Sequence, residues 1–340
     1  MKVLVTGATG LVGSHVCYHL CVQGYEVIAL YRHKKRISKT EKVFSYYTSS
    51  AALFQKIIWK KVDLLNLGDI EDAAKDVEAV FNAAALVSFD GSDSERIIHY
   101  NTTITENLIH TLQEVNPNAI LIHCSSIAAL GKHDNHKILI DENVQWKESS
   151  NNSPYAISKF QSELRVWMAA EEGMKTAIVN PGIIIGPGFW DEGSGRLFTQ
   201  FLKGFPFYTE GVNGFVDVND VAKAMIQLWH ARCFGQRFIL VEQNYSYKQI
   251  FDLICTGLNI NKPKIKISKP IANIFWRIEW LRGRLFRSKP LITKETAKSA
   301  TNQFYYDGSK ITKCIGFEYV PLAQTIKTYC QFLLKDKNLL

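Results

Sequence analysis

The sequence predicts an α/β protein, a doubly wound parallel sheet with a smaller, mainly helical C-terminal lobe. Three observations predict it. Apolar runs of strand length at 2–6, 26–31, 57–62, 78–82, 119–124 and 175–180 alternate with segments of helical period at 11–23, 67–76, 94–115 and 153–172. The first run breaks into glycines at 7, 10 and 13 and then into a helical pattern. After Pro181 the alternation loosens, and helical stretches at 196–203, 218–231, 246–257, 271–286, 293–300 and 321–335 dominate. Strand–helix–strand repetition of this kind requires parallel strands, right-handed crossovers and helices on both faces.

The elements follow in order. Val3, Leu4 and Val5 stop at Thr6-Gly7, and a helix begins beyond Gly10. Unpaired N–H groups and the positive end of the helix dipole suit an anion, here the pyrophosphate of a dinucleotide. Gly7 permits the turn, Gly10 lets backbone approach phosphate, and Gly13 lets helix pack close to strand. The spacing is G-x-x-G-x-x-G. By itself it is also compatible with plain turn chemistry.

The second strand ends at Tyr31-Arg32, followed by Lys34, Lys35, Arg36 and Lys39. A carboxylate at this strand end would bind both ribose hydroxyls of NAD. None is present, and a guanidinium there can clasp a 2′-phosphate bidentately. The sequence thus favours NADP(H) over NAD(H), although stacking of Arg32 on adenine would leave both usable. Residues 33–56 read as a link with a helical stretch near 51–58. Asp63-Leu64 follows the third strand, and Phe81-Asn-Ala-Ala-Ala85 ends the fourth. Asn101 lies on the next helix.

The fifth strand ends in Ser125-Ser126. A serine at a strand's carboxyl end can hydrogen-bond a substrate oxygen, or simply cap a helix. Tyr155 and Lys159 stand four apart, one turn from each other on a helix. The ammonium would stabilise phenolate and draw the phenol pKa from about 10 toward neutrality. The plain alternative is an exposed helical pair with a small effect on stability. Polar loops at 87–96 and 131–152, and a Gly/Pro-rich stretch at 182–214, flank the expected cleft. A strand at 237–241 is expected to rejoin the sheet.

Composition limits the alternatives. With 46% hydrophobic residues over 340, a large core is available. The seven cysteines show no C-x-x-C and no metal spacing, so they read as small core residues in a reducing compartment, with no metal site. The first strand begins at once, which predicts no signal peptide and a cytoplasmic protein. No apolar run reaches membrane-spanning length. The net charge is +8, concentrated in 32–36 and 262–289, but no basic–aromatic module accompanies it, so nucleic acid is not an expected partner. In 270–287, Ile271, Ile274, Phe275, Ile278, Leu281 and Leu285 recur at helical spacing among Arg277, Arg282, Arg284 and Arg287. This reads as a lid or packing helix, with docking on anionic lipid as the alternative.

Taken together, Thr6 to Gly13, Ser126, Tyr155 and Lys159 resemble the extended short-chain dehydrogenase/reductase superfamily of the NAD-dependent epimerase/dehydratase type. Asp63-Leu64, Phe81–Ala85, Asn101–Asn107, Pro181–Pro187 and Phe215–Asp220 strengthen the likeness, which covers roughly residues 1–235. It implies a Rossmann-type fold, with residues 1–180 binding the dinucleotide, 215–242 returning to that unit, and 181–340 forming the substrate lobe. It implies that Tyr155 is the acid/base, Ser126 a partner of the reacting oxygen, and Lys159 a ribose ligand that tunes Tyr155, with Asn101 either supporting a proton relay or tying its helix to the neighbouring strand. Implied cofactor contacts are Gly7, Thr9, Gly10, Leu11, Val12, Gly13, Arg32, Asp63, Leu64, Ala83, Ala84, Ala85, Asn101, Ser125, Tyr155, Lys159, Pro181, Gly182, Ile183 and Ile184. Val87, Ser88, Phe89, Ser126 and Phe189 are expected to meet a small-molecule substrate. A homodimer through helices 94–115 and 153–172 is the implied assembly.

Within the superfamily, the motifs come nearest to dihydroflavonol reductases and 3β-hydroxysteroid dehydrogenases. Nucleotide-sugar enzymes usually carry an Asn, which contacts the diphosphate, where Ile183 stands. Dehydratases add an acidic pair where Ile127-Ala128 stand. The sequence therefore favours a reductase or dehydrogenase over an epimerase, with Arg196, Lys203 and Arg237 as cations that could still clamp a diphosphate. A non-catalytic dinucleotide sensor or assembly factor is a further alternative, against which both Tyr155 and Lys159 stand.

Overall fold

Side-chain alternation along the short strands builds two cores from one sheet. Val3 and Val5 point to one face with Val27, Ala29, Phe81, Ile122, Val179 and Phe238. Leu4 points to the other with Ile28, Leu30, Val80, Leu121 and Ile178. Both faces are apolar because both are covered, as a parallel sheet requires.

The computed structural model describes residues 1–87, 93–132, 138–150, 152–272, 274, 276, 277 and 294–339. Strands are β1 (Lys2–Thr6), β2 (Glu26–Tyr31), β3 (Ile58–Lys61), β4 (Ala79–Asn82), β5 (Ile120–Cys124), β6 (Thr176–Pro181), β7 (Ile183–Ile185), β8 (Phe207–Tyr208), β9 (Val212–Asp217), β10 (Gln236–Leu240), β11 (Gln243–Ser246) and β12 (Ile265–Lys266). Helices are α1 (Leu11–Val22), α2 (Ile37–Tyr47), α3 (Ala52–Gln55), α4 (Leu67–Ala74), α5 (Ser94–Val115), α6 (Pro154–Glu171), α7 (Gly195–Leu202), α8 (Val218–His230), α9 (Tyr247–Gly257), α10 (Lys294–Thr301), α11 (Ser309–Ile315) and α12 (Leu322–Asp336).

Seven parallel strands run in the order β10-β6-β5-β4-β1-β2-β3. Chain order reverses between β1 and β4, which opens a crevice at the carboxyl ends of the strands. Helices α1 and α8 pack together on one face, and α4, α5 and α6 line the other. β10 pairs with β6 from Gln236↔Ala177 to Leu240↔Pro181, so the expected return of the chain to the sheet occurs.

Three features were not anticipated from sequence. The link 33–56 contains α2, whose buried face is only Thr40, Val43 and Phe44. That stripe is too narrow for periodicity to reveal. A second sheet, β11-β9-β7, forms beyond Pro181. Its strands are short, and β9 carries Asn213 and Gly214, yet every residue of β9 is buried between lobe and sheet. Helix α11 also follows a stretch with no clear pattern. The substrate candidates Ser88 and Phe89, residues 133–137 of the loop 131–152 and the greater part of 270–287 lie outside the described residues. No helix of the described residues is long and apolar enough to cross a membrane.

Candidate active site

The glycine turn is shaped by what a side chain would hit. Gly7 has φ +63°, and a Cβ there would come within 2.5 Å of the Ala83 carbonyl oxygen. A Cβ on Gly13 would come within 2.2 Å of the Gly7 carbonyl oxygen. Gly10 N–H closes the turn on Gly7 O at 2.9 Å. Helix α1 then starts with no side-chain cap and no acidic residue in its first turn. Its N–H groups face the crevice end of β1 with the positive pole uncompensated, which fits a dinucleotide pyrophosphate.

Beneath the turn a polar row crosses three strands. Thr6 Oγ1 donates to Asn82 Oδ1 at 2.6 Å and accepts from Ala84 N–H at 3.1 Å. Asn82 Nδ2 meets His123 Nδ1 at 3.0 Å. Burial, and secondarily the Lys159 charge, hold His123 well below the usual imidazole range, so it stays neutral. A neutral ring that accepts at Nδ1 carries its proton on Nε2. The row sets the height of Ala83 to Ala85 against the glycine turn.

At the end of β2, exposed Arg32 extends over α5, where NH1 donates to the Tyr100 hydroxyl at 2.9 Å. Arg36 grips Glu192 by two bonds, 3.0 and 2.8 Å, and Lys39 joins the same carboxylate. These contacts hold the Glu192 carboxyl down at about 2. Part of the basic cluster therefore docks the 186–195 segment rather than standing open. Asp63 is exposed at the end of β3 and accepts from Leu65 N–H at 3.1 Å, while the Leu64 carbonyl accepts from Asn107 Nδ2 at 3.0 Å.

Helix α6 begins cleanly: Ser153 caps Ala156 N–H at 3.1 Å, and Pro154 occupies the first turn. Half-buried Tyr155 thus sits at the mouth of the helix, and Lys159 one turn deeper. Lys159 is only 3% exposed and donates to the Cys124 carbonyl oxygen at 2.8 Å. Burial lowers its pKa, against the opposing pull of Cys124 and Glu163. Ser126 starts a short 3-10 turn, its Oγ accepting from Ala128 N–H at 3.1 Å and its carbonyl from Asn180 Nδ2 at 3.0 Å. A hydroxyl so engaged still has its proton and a second lone pair to offer.

Ser125 differs from Ser126. Its hydroxyl donates to Glu163 at 2.6 Å, in a buried knot that also draws in Asn180 at 2.7 Å and Arg237 at 3.1 Å. Glu163 escaped the sequence reading, although it lies four residues after Lys159 on the same face of α6. The remaining nitrogens of Arg237 donate to the carbonyls of Glu142 and Val144. Its guanidinium is occupied, which removes it from the candidate diphosphate cations.

Asn101 is fully buried and ties three segments. Its amide exchanges bonds with the Leu86 backbone, 2.7 and 3.0 Å, and donates to Ser158 Oγ at 3.0 Å. Of the two roles considered for it, these contacts are those of a tie between α5, α6 and the end of β4. Gly186 lies against Leu11 of the glycine turn, and Gly182 against the Gly214 carbonyl. Ile183 and Ile184 form β7 beside Phe215 and Val216. Phe189 is buried with the Lys39 ammonium 5.4 Å over its ring, at the seam with α2. Val87 is exposed.

The strand order thus gathers Gly7–Gly13, Arg32, Asp63-Leu64, Ala83–Ala85, Ser125-Ser126 and Pro181 at one edge of the sheet, with Tyr155 and Lys159 entering from α6. Among the described residues no cluster of three or more His, Cys, Asp or Glu side chains could hold a metal.

Comparison with known proteins gives the family and the fold. The profile of the NAD dependent epimerase/dehydratase family matches residues 3–236. The chain is 29% identical over 332 residues to a Synechocystis protein named “Putative dihydroflavonol 4-reductase”, covering 95% of this chain and 91% of that one. It is 24% identical over 364 residues to the NADPH-dependent methylglyoxal reductase GRE2 of Saccharomyces cerevisiae, covering 98% of each. The crystal structure of that yeast enzyme with NADPH superposes with a TM-score of 0.76 at 22% identity, over the full length of both chains. UDP-glucuronic acid 4-epimerase from Bacillus cereus with NAD superposes with a TM-score of 0.75 at 17% identity, over 98% of this chain and 97% of that one. At these identities the superpositions establish the fold alone, and one fold carries both chemistries.

Proposed function

Since the chain belongs to the NAD dependent epimerase/dehydratase family, we propose that it is an NAD(P)(H)-dependent oxidoreductase acting on a carbonyl or secondary alcohol of a small organic substrate, with Tyr155 as acid/base. The observation that carries this reading is the placement of Lys159. A buried ammonium is anchored to the Cys124 carbonyl, one helical turn below Tyr155 and two residues before Ser126.

The division of labour we propose gives residues 1–180 and 215–242 to the dinucleotide and the rest of 181–340 to the substrate. Gly7, Thr9, Gly10, Leu11, Val12 and Gly13 would cradle the pyrophosphate, Asp63, Leu64 and Ala83–Ala85 the adenosine side, and Lys159 the nicotinamide ribose. Bound NAD(P)H supplies the hydride. Tyr155 gives its proton to the carbonyl oxygen as negative charge develops there, and takes it back in the reverse direction. Ser126 donates a hydrogen bond to the same oxygen. Lys159 favours the ionised phenol by its charge. Ser125 and Asn101 act on backbone position.

Reduction is preferred to epimerisation for two reasons. Apolar Ile183, held in β7, cannot bind a diphosphate, and Arg237 is occupied. The named relatives at 29% and 24% identity are both reductases by name. NADP(H) is preferred because Arg32 stands at the end of β2, where the sequence places no carboxylate. Helix α6, which packs beside α5, exposes Leu164 and Met168, which suits a homodimer.

The test is mass spectrometry of any dinucleotide that copurifies, followed by turnover assays with carbonyl compounds and with nucleotide sugars. A site saturable by NADPH that reduces a carbonyl compound is expected. Tightly retained NAD with epimerisation of a sugar nucleotide would overturn the reading. NADPH binding without turnover of either class would favour the sensor alternative.

A further inference from the structure

Two thiols far apart in sequence touch at the surface. Cys233 Sγ and Cys314 Sγ lie 3.3 Å apart across 81 residues of chain. They break the sequence expectation that the cysteines are core residues, because Cys17, Cys21, Cys124, Cys255 and Cys330 are buried while Cys233 is half-buried and Cys314 exposed. The framework on each side is firm. Cys233 sits in the turn between α8 and β10, its N–H bonded to Leu228 O at 3.1 Å, and Gly235 N–H bonds Thr176 O at 2.7 Å. On the other side, α11 is pinned by fully buried Ile311 and by Lys310 Nζ donating to Arg237 O at 2.9 Å. The contact lies at the amino edge of the sheet, opposite the glycine turn, so it is separate from the candidate active site.

We propose that Cys233 and Cys314 form a reversible oxidation site that reacts with low-molecular-weight disulfides and closes into an intramolecular disulfide. A disulfide needs the sulfurs at about 2.05 Å, an approach of roughly 1.2 Å from their present contact. Exposed Cys314 meets the oxidant first. Burial, and then the hydrogen bond to Cys314, push the Cys233 thiol up to about 11, which leaves it the second partner. The Cys314 thiolate attacks one sulfur of R–S–S–R and expels R–S⁻, which takes up a proton. Cys233 sulfur then attacks Cys314 sulfur in the mixed disulfide, loses its proton and expels the second R–S⁻. Two protein thiols are oxidised by two electrons, and one disulfide is reduced to two thiols. The bond closes a loop that holds β10, β11, α9, β12 and α10, and constrains the unfolded chain accordingly.

The full chain is equilibrated in mixtures of reduced and oxidised glutathione, quenched, alkylated and mapped by peptide mass spectrometry. A single cross-link between the peptides of Cys233 and Cys314 is expected, with loss of two hydrogens. A rise in Tm of about 5 °C, reversed by dithiothreitol, should accompany it. Cys233→Ser should instead retain one glutathione on Cys314 as a stable mixed disulfide. The proposal is overturned if the wild-type chain holds that mixed disulfide as persistently as Cys233→Ser does, or if both thiols stay alkylatable at every ratio.

Discussion

Arg237 NH1 and Glu163 Oε1 meet at 3.1 Å, with the Glu163 side chain 2% exposed. The same carboxylate accepts from Ser125 Oγ, Asn180 Nδ2 and, at 3.3 Å, Trp167 Nε1. One buried anion thus joins β5, β6, β10 and α6 directly beneath the serine pair.

Glu163→Gln removes that charge while nearly keeping the shape. Arg237 is left without its anion, and the new NH2 group faces other donors. Breaking a buried pair from one side costs about 3–5 kcal/mol. Urea unfolding should show the midpoint falling at unchanged slope, and Arg237→Met in the same chain should recover part of the loss. A midpoint equal to that of the wild type would show that the knot does not hold these strands together.

Buried neutral histidines should weaken the fold on the acid side. Burial lowers His15 to about 3 and His19 to about 4, and holds His123 well down. In the unfolded chain these rings titrate from 6.5. Their depressed folded values mean that the unfolded state binds more protons below that pH. Stability is complete above about pH 6.5 and is lost as pH falls toward 4 and then 3, each ring adding up to about 1.4 kcal/mol per pH unit. Asp220, raised to about 7 by burial, works in the opposite sense over part of this range. Glu142, Asp217 and Glu242, also raised by burial, act with Asp220, and His230, lowered by burial, acts with the three rings. The histidine share is therefore read against a control: in His19→Gln the urea midpoint should fall less between about pH 6.5 and 4 than in the wild type. An equal fall in both chains would mean that His19 is not buried as a neutral ring.

Arg32 should discriminate between the two dinucleotides. It is exposed and bonded only to its neighbours His33 and Tyr100 among the described residues, so its removal should leave the fold intact. Hydrogen bonds to a charged partner contribute about 1.5–3 kcal/mol, so Arg32→Ala should weaken NADPH binding by roughly tenfold to a hundredfold. NADH binding should change little. Fluorescence titration of both nucleotides measures this, and equal losses for the two would remove Arg32 from the 2′-phosphate site.

The sheet was legible in the sequence because its strands are apolar on both faces and its helices have wide buried stripes. Elements outside that regime were not. Helix α2 carries a thin apolar stripe anchored by a polar contact, Thr40 Oγ1 to Ala8 O at 2.9 Å. Strand β9 gains its burial from the lobe above it, which no local pattern announces. In the site, motif residues such as Tyr155 and Lys159 could be read from spacing. Their supports could not: Glu163, His123 and Ser158 act through contacts between segments 17 to 74 residues apart. Arg36 and Lys39 read as open cations because their partner, Glu192, lies more than 150 residues away.

The most direct measurement is single-turnover hydride transfer from NADPH in Tyr155→Phe, with dinucleotide affinity determined in parallel. The substitution removes one hydroxyl from the half-buried start of α6. Hydride transfer should fall by about 10²–10⁴ while the Kd for NADPH stays within roughly threefold of wild type. Transfer that persists at nearly the wild-type rate would contradict the assignment of the proton to this phenol.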